Sequence, residues 1–93
     1  MIRRFANKYL RNFFEKGEVR KLNPNHIEKI RLILARLHSA KHLRDMNYPG
    51  SNLHPLKGPP YRGFHSVDVS GNYRIVFRFE NGDAFDVDYL DTH

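Results

Sequence analysis

The sequence predicts an α+β fold: two N-terminal helices packed on one face of a small, mainly antiparallel β-sheet. Two observations carry this. Apolar residues recur at helical spacing through the first part of the chain and at a period of two from Phe64 onward. Asn81-Gly82, between two alternating runs, is a strong hairpin signal, because both residues tolerate the positive φ of a type I′ turn. Helices followed by a strand meander bury their apolar faces against one another in two layers. The 93 residues are expected to form a single domain, 1–93, with no repeat and no second domain.

Each element has its own local signal. Ile2 to Phe5 is a short candidate for an opening strand. Asn7 is placed to cap a first helix, in which Tyr9, Leu10, Phe13 and Phe14 form one stripe. Lys16-Gly17 ends it with a last-turn cation and a glycine. Asn23-Pro24 starts the longest helix as N-cap and first helical position, and Ile27, Ile30, Ile33, Leu34 and Leu37 carry its stripe to about Ala40. His26, His38 and His42 fall at no metal-ligand spacing and read as surface residues. Leu43, Met46 and Tyr48 suggest a helical turn on the core, and Pro49-Gly50 a loop. Val67 and Val69 alternate with Ser66 and Asp68. After a turn at Ser70-Gly71-Asn72, Tyr73, Ile75, Phe77 and Phe79 define an apolar strand face, and Phe85, Val87 and Tyr89 the next.

Charge narrows the partners. The net charge is +6, and all 16 Lys and Arg precede residue 79, whereas five of the ten acidic residues lie in the last fourteen positions. A small basic domain points towards nucleic acid or an acidic protein. The absence of cysteine removes disulfides and thiolate zinc sites and fits a reducing compartment. No apolar run approaches a membrane span, and the two N-terminal arginines precede no secretory apolar stretch. A cytoplasmic, unprocessed chain is expected.

The candidate site centres on Leu53-His54-Pro55-Leu56-Lys57-Gly58, where an imidazole and an ammonium stand three residues apart beside a stiffening proline. In a regular strand His54 and Lys57 point to opposite faces; a kink near Pro55 or Gly58 would bring them to one rim. Arg74 and Arg78 share the face opposite the aromatic core. They either form cross-strand ion pairs with Asp86 and Asp88 or grip a phosphate. His93 is either a frayed end or a group delivered by a docked terminal strand.

Taken together, the basic helix pair, Leu53-His54-Pro55-Leu56-Lys57-Gly58, Asn72-Tyr73-Arg74-Ile75, Asn81-Gly82-Asp83-Ala84 and the terminal Asp-x-His resemble the HigB family of bacterial toxins, within the RelE-like superfamily. The resemblance covers nearly the whole chain. It implies a ribosome-dependent endoribonuclease that cuts mRNA in the decoding site of the 70S ribosome, with no cofactor and no metal. It also implies a HigA-type antitoxin with a helix-turn-helix domain, contact with operator DNA only through that antitoxin, and a monomeric toxin that joins a heterotetramer. It places catalytic roles on His54, Lys57, Arg74, Asp91 and His93; Arg62, Arg78 and Tyr89 are taken beside them as candidate RNA contacts. The family's terminal motif reads Asp-Tyr-His where this chain has Asp91-Thr92-His93, so Tyr89 is the candidate to replace the missing ring.

Such residues suit metal-free RNA cleavage. A base takes the 2′-hydroxyl proton, the oxygen attacks the neighbouring phosphorus, and an acid protonates the departing 5′-oxygen. Imidazoles exchange protons near physiological pH, and Lys57 and Arg74 would balance the added phosphorane charge. His54 is assigned as base, His93 as acid and Asp91 as an orienting group. Two other readings share the fold: a ParE-like toxin that binds DNA gyrase, and a non-catalytic RNA-binding module.

Overall fold

The computed structural model describes residues 1–92. Helix α1 spans Lys8–Lys16 and α2 spans Ile27–Ser39, the latter entered through a 3₁₀ turn at Pro24–His26. A second 3₁₀ turn, Leu43–Met46, leads to strands β1 (His54–Pro55), β2 (His65–Ser70), β3 (Tyr73–Glu80) and β4 (Asp83–Asp91). The strands form one antiparallel sheet in the order β1-β2-β3-β4.

Local chemistry sets the helix ends as expected. Asn7 Oδ1 accepts from the N–H groups of Tyr9 and Leu10, at 2.9 and 3.1 Å, satisfying donors a helix start leaves open. Gly17 closes α1 with φ 76, and its N–H donates to the Phe13 carbonyl at 2.9 Å. Asn23 Oδ1 caps the turn before α2 through Asn25 N–H. The Asn81-Gly82 turn has φ of 51 and 85, as a type I′ hairpin requires.

The core lies between the helices and one sheet face. Leu10 and Phe13 of α1 and Ile30, Ile33, Leu34 and Leu37 of α2 meet Val67, Val69, Ile75, Phe77, Ala84 and Val87, with Met46 closing one end. The N-terminal segment adds to the sheet: Ile2 and Phe5 bridge Ala84 and Val87 in parallel, so β4 has backbone partners on both sides. Among the described residues no helix is long and apolar enough to cross a membrane.

Three sequence expectations are corrected. First, β4 does not alternate throughout. Its register against β3 shifts between Val76 and Arg78, and Asp86 adopts φ 54, the geometry of a β-bulge with one extra residue on β4. Ala84, Val87 and Tyr89 therefore face the helices, while Phe85 turns outward under the guanidinium groups of Arg4 and Arg78. Second, His26 is a buried residue, 7% exposed: its Nδ1 is hydrogen-bonded to the Tyr89 hydroxyl at 2.7 Å, and its ring packs edge-on to Tyr73. Third, His38 accepts the Ile2 N–H at Nδ1 (3.1 Å) and packs on Phe14, holding the N-terminal segment to α2. Charge and spacing do not reveal a histidine whose partners come from sequence-distant segments.

Candidate functional site

Several of the candidate residues gather on the outer face of the sheet. β1 pairs with β2 through His54–Ser66 and Pro55–His65, and the pairing runs on as Leu56 N–H donates to the Phe64 carbonyl at 2.8 Å. The chain between them folds tightly, with Tyr61 N–H on the Gly58 carbonyl and Phe64 N–H on the Tyr61 carbonyl. This turn brings Lys57 to the same rim as His54, which regular strand alternation would not. His54, Lys57, Tyr61, Ser66, Arg74 and Thr92 line one open cleft of about 320 Å³, floored by Leu56, Val76 and Leu90.

Two of these side chains are held by defined partners. His54 Nδ1 lies 2.9 Å from the Asn52 carbonyl oxygen. A carbonyl can only accept, so Nδ1 carries the proton, and in the neutral ring Nε2 keeps its lone pair. Nε2 faces Ser66 Oγ at 3.4 Å, on the cleft side. Asn52, with φ 49, turns the chain into β1, and the Ser51 carbonyl accepts Asp68 N–H at 2.8 Å. Arg74 Nε stands 3.0 Å from Asp68 Oδ1, an ion pair lying off the hydrogen-bond direction, so Oδ1 has no directed donor among the described residues. Arg74 Nη1 donates to the carbonyls of Gly71 (2.7 Å) and Tyr73 (3.1 Å). Behind β1, burial lowers the pKa of His65, with the nearby His54 adding to the shift.

The other candidates separate. Arg78 is on the same sheet face but pairs with Asp86 (3.1 Å) and Glu80 and does not line the cleft. Arg62 is exposed in the turn, also outside the lining. Tyr89 is not placed to replace a cleft tyrosine. The bulge leaves it on the helix face, hydrogen-bonded to His26 and stacked on Tyr73 at 5.3 Å, and burial raises its pKa. Asp91 pairs in register with Tyr73, so its side chain leaves the sheet on the face opposite Arg74. His93 lies outside the described residues. Thr92 fixes the end of β4, its N–H and Oγ1 both donating to the Asn72 carbonyl, at 2.8 and 2.7 Å.

Sequence reasoning missed Ser66, Asp68 and Tyr61 as site residues. For Ser66 and Asp68 the signal was present, since alternation with Val67 and Val69 puts them on the face Arg74 uses. Tyr61 gave none, because its direction depends on the fold of a turn.

Fold and cleft together define a small basic α+β domain that gathers an imidazole, an ammonium and a guanidinium on the open face of its sheet. The family model described as the RelE-like toxin of type II toxin–antitoxin system HigB matches residues 3–93. The chain is 37% identical over 93 residues to an endoribonuclease HigB of Proteus vulgaris, covering 100% of both chains. It is 32% identical over 91 residues to a toxin HigB-1 of Vibrio cholerae, covering 96% of this chain and 94% of the other. An uncharacterized Haemophilus influenzae protein is 27% identical over 93 residues, covering 96% and 88%. The chain belongs to the HigB family of RelE-like toxins of type II toxin–antitoxin systems.

Proposed function

We propose that this toxin is an endoribonuclease that cleaves mRNA on the ribosome by acid–base chemistry supplied by its own side chains. The observation that carries the reading is the convergence of His54, Lys57 and Arg74 on one cleft. The name of the Proteus vulgaris relative, an endoribonuclease, supports the same activity.

The proposed reaction runs as a single displacement at phosphorus. His54 Nε2, the nitrogen that holds the lone pair in the neutral ring because Nδ1–H is given to the Asn52 carbonyl, takes the proton of the ribose 2′-hydroxyl. The 2′-oxygen forms a bond to phosphorus and the phosphorus–5′-oxygen bond breaks. Lys57 and Arg74 stabilise the extra negative charge of the phosphorane. Arg74 is suited to this because Asp68 and two carbonyls fix its position before substrate arrives. His93 gives the departing 5′-oxygen its proton. The products are a 2′,3′-cyclic phosphate and a 5′-hydroxyl. With its side chain on the far sheet face, Asp91 acts on the terminal segment that carries His93 rather than on the phosphate.

As partners, the reading includes a helix-turn-helix antitoxin that binds operator DNA for the pair, a heterotetrameric complex with it, and a cytoplasmic site of action. The test is cleavage of mRNA on purified ribosomes, with 5′ and 3′ ends mapped. Cuts that end in 2′,3′-cyclic phosphate and vanish in His54→Ala and His93→Gln are expected. A 3′-hydroxyl product, or cutting that survives both substitutions, overturns the mechanism. Growth arrest with intact mRNA would instead favour a protein target such as gyrase.

A further inference from the structure

The cleft has more apolar surface than phosphate chemistry uses. Its polar lining is His54, Lys57, Ser66 and Arg74. Leu56, Val76, Leu90 and Tyr61 are set among these groups, Val76 opposite Ser66 and Leu90 opposite Arg74 in the sheet. Val76 and Leu90 leave the sheet on the side away from the helices, so the helix-side core does not account for them. Val76 is itself buried, at 1% exposed, so the apolar surface left open to the cleft is that of the half-buried Leu56, Leu90 and Tyr61, and such surface is unfavourable in water until a ligand covers it. Tyr61 is also held in place. Its N–H donates to the Gly58 carbonyl, its carbonyl accepts from Phe64, and its ring meets Phe64 edge-on at 5.3 Å and 85°. An edge contact fixes a ring plane without covering both of its faces.

We infer that Tyr61 and the floor of Leu56, Val76 and Leu90 form a nucleobase subsite, in which one base next to the scissile phosphate stacks on the Tyr61 ring. This rests on the RNA-cleavage reading above. A nucleotide is the ligand that matches a lining of basic groups beside apolar side chains, since its phosphate is anionic and its base is flat with apolar faces. Stacking on an aromatic side chain is a sequence-tolerant way to hold an unpaired base. The subsite fixes the base while the cations fix the phosphate, and so sets the 2′-hydroxyl against His54 Nε2.

The experiment uses the full chain as wild type, Tyr61→Phe and Tyr61→Leu, with unchanged thermal melting as the control for folding. One readout is cleavage of ribosome-bound mRNA, intact or with a single abasic residue beside the cut. Tyr61→Phe keeps wild-type KM. Tyr61→Leu raises KM roughly 5- to 150-fold on intact mRNA, the range of one lost stack, and matches wild type on the abasic mRNA. Equal KM for Tyr61→Leu and wild type on intact mRNA, or penalties that multiply on the abasic mRNA, overturn the subsite. The second readout is photo-cross-linking of single-stranded RNA carrying 5-iodouracil, which couples to stacked aromatic rings. A cross-link at Tyr61 without any cleavage keeps the subsite and sinks the nuclease. Cleavage with neither a cross-link at Tyr61 nor a Tyr61→Leu effect sinks the subsite and keeps the nuclease. Absence of both activities overturns both.

Discussion

Arg74 and Arg78 leave the same face of β3, four positions apart, and end in different surroundings. Arg78 lies over the Phe85 ring and is paired with Asp86 and Glu80, while Arg4 takes the other side of the Asp86 carboxylate at 2.6 Å. Arg74 has one carboxylate, Asp68, and two backbone carbonyls, and it lines the cleft with His54 and Lys57. One arginine completes a closed ionic cluster; the other faces an open cleft. The bulge at Asp86 makes the difference, because it turns both Asp86 and Phe85 towards Arg78.

The comparison is broken first at the two arginines. Arg74→Ala is expected to lower kcat for mRNA cleavage about 10²- to 10³-fold, the usual cost of losing one donor to a developing oxyanion. Arg78→Ala leaves kcat near wild type and lowers the melting temperature. Equal loss of kcat in both variants would mean that the ionic end of the face also binds substrate.

Next comes the bulge. In the left-handed region a branched side chain costs more than glycine, by roughly 1–2 kcal/mol. Asp86→Val is therefore expected to unfold at lower urea than Asp86→Gly, although both lose the arginine pairs. The reverse order would show that strand pairing, not the backbone at residue 86, fixes the register.

Acid sharpens the comparison further. Asp86 has its pKa lowered, chiefly by the hydrogen bond from Arg4 and then by Arg78, and Asp83 has its pKa lowered, chiefly by the N-terminal ammonium and then by Arg3. A carboxyl whose folded pKa lies below its unfolded value of about 3.9 stabilises fully above that pH and loses its contribution as pH falls towards the folded pKa. The urea midpoint is expected to drop below about pH 4, and Asp86→Asn to flatten that drop. Cleavage measured after return to neutral pH is expected to recover.

The smallest effect belongs to His65. Its folded pKa lies below the unfolded value, so the unfolded chain binds more protons in between. Stability from this residue is complete above about pH 6.5 and declines as pH falls from there towards the folded pKa. His65→Phe is expected to remove that slope, and an unchanged slope would assign it to another group.

Much of this molecule is written locally. Helix caps, the Asn81-Gly82 turn and the alternation of Tyr73 to Phe79 are short-range relations, and they appear where the sequence places them. The family motif named His54, Lys57 and Arg74, and the fold brings those three together. Other features depended on segments far apart in the chain. The N-terminal segment pairs along β4, and the extra residue at Asp86 reverses the alternation before it, so that Ala84 rather than Phe85 faces the helices. Periodicity cannot register such a reversal, because a bulge is an agreement between two strands.

By itself, then, the sequence determined the α+β class, the ends of the helices, the hairpin and the membership in a toxin family. Those depend on backbone preferences and apolar spacing, which act within a few residues. Tertiary structure alone decided that His26 is buried under Tyr89 and Tyr73, that Tyr89 leaves the site, and that Tyr61 enters it. The first two are contacts between segments far apart in the chain, set by how the helices and the sheet close on one another, and the third follows from the fold of the turn between β1 and β2.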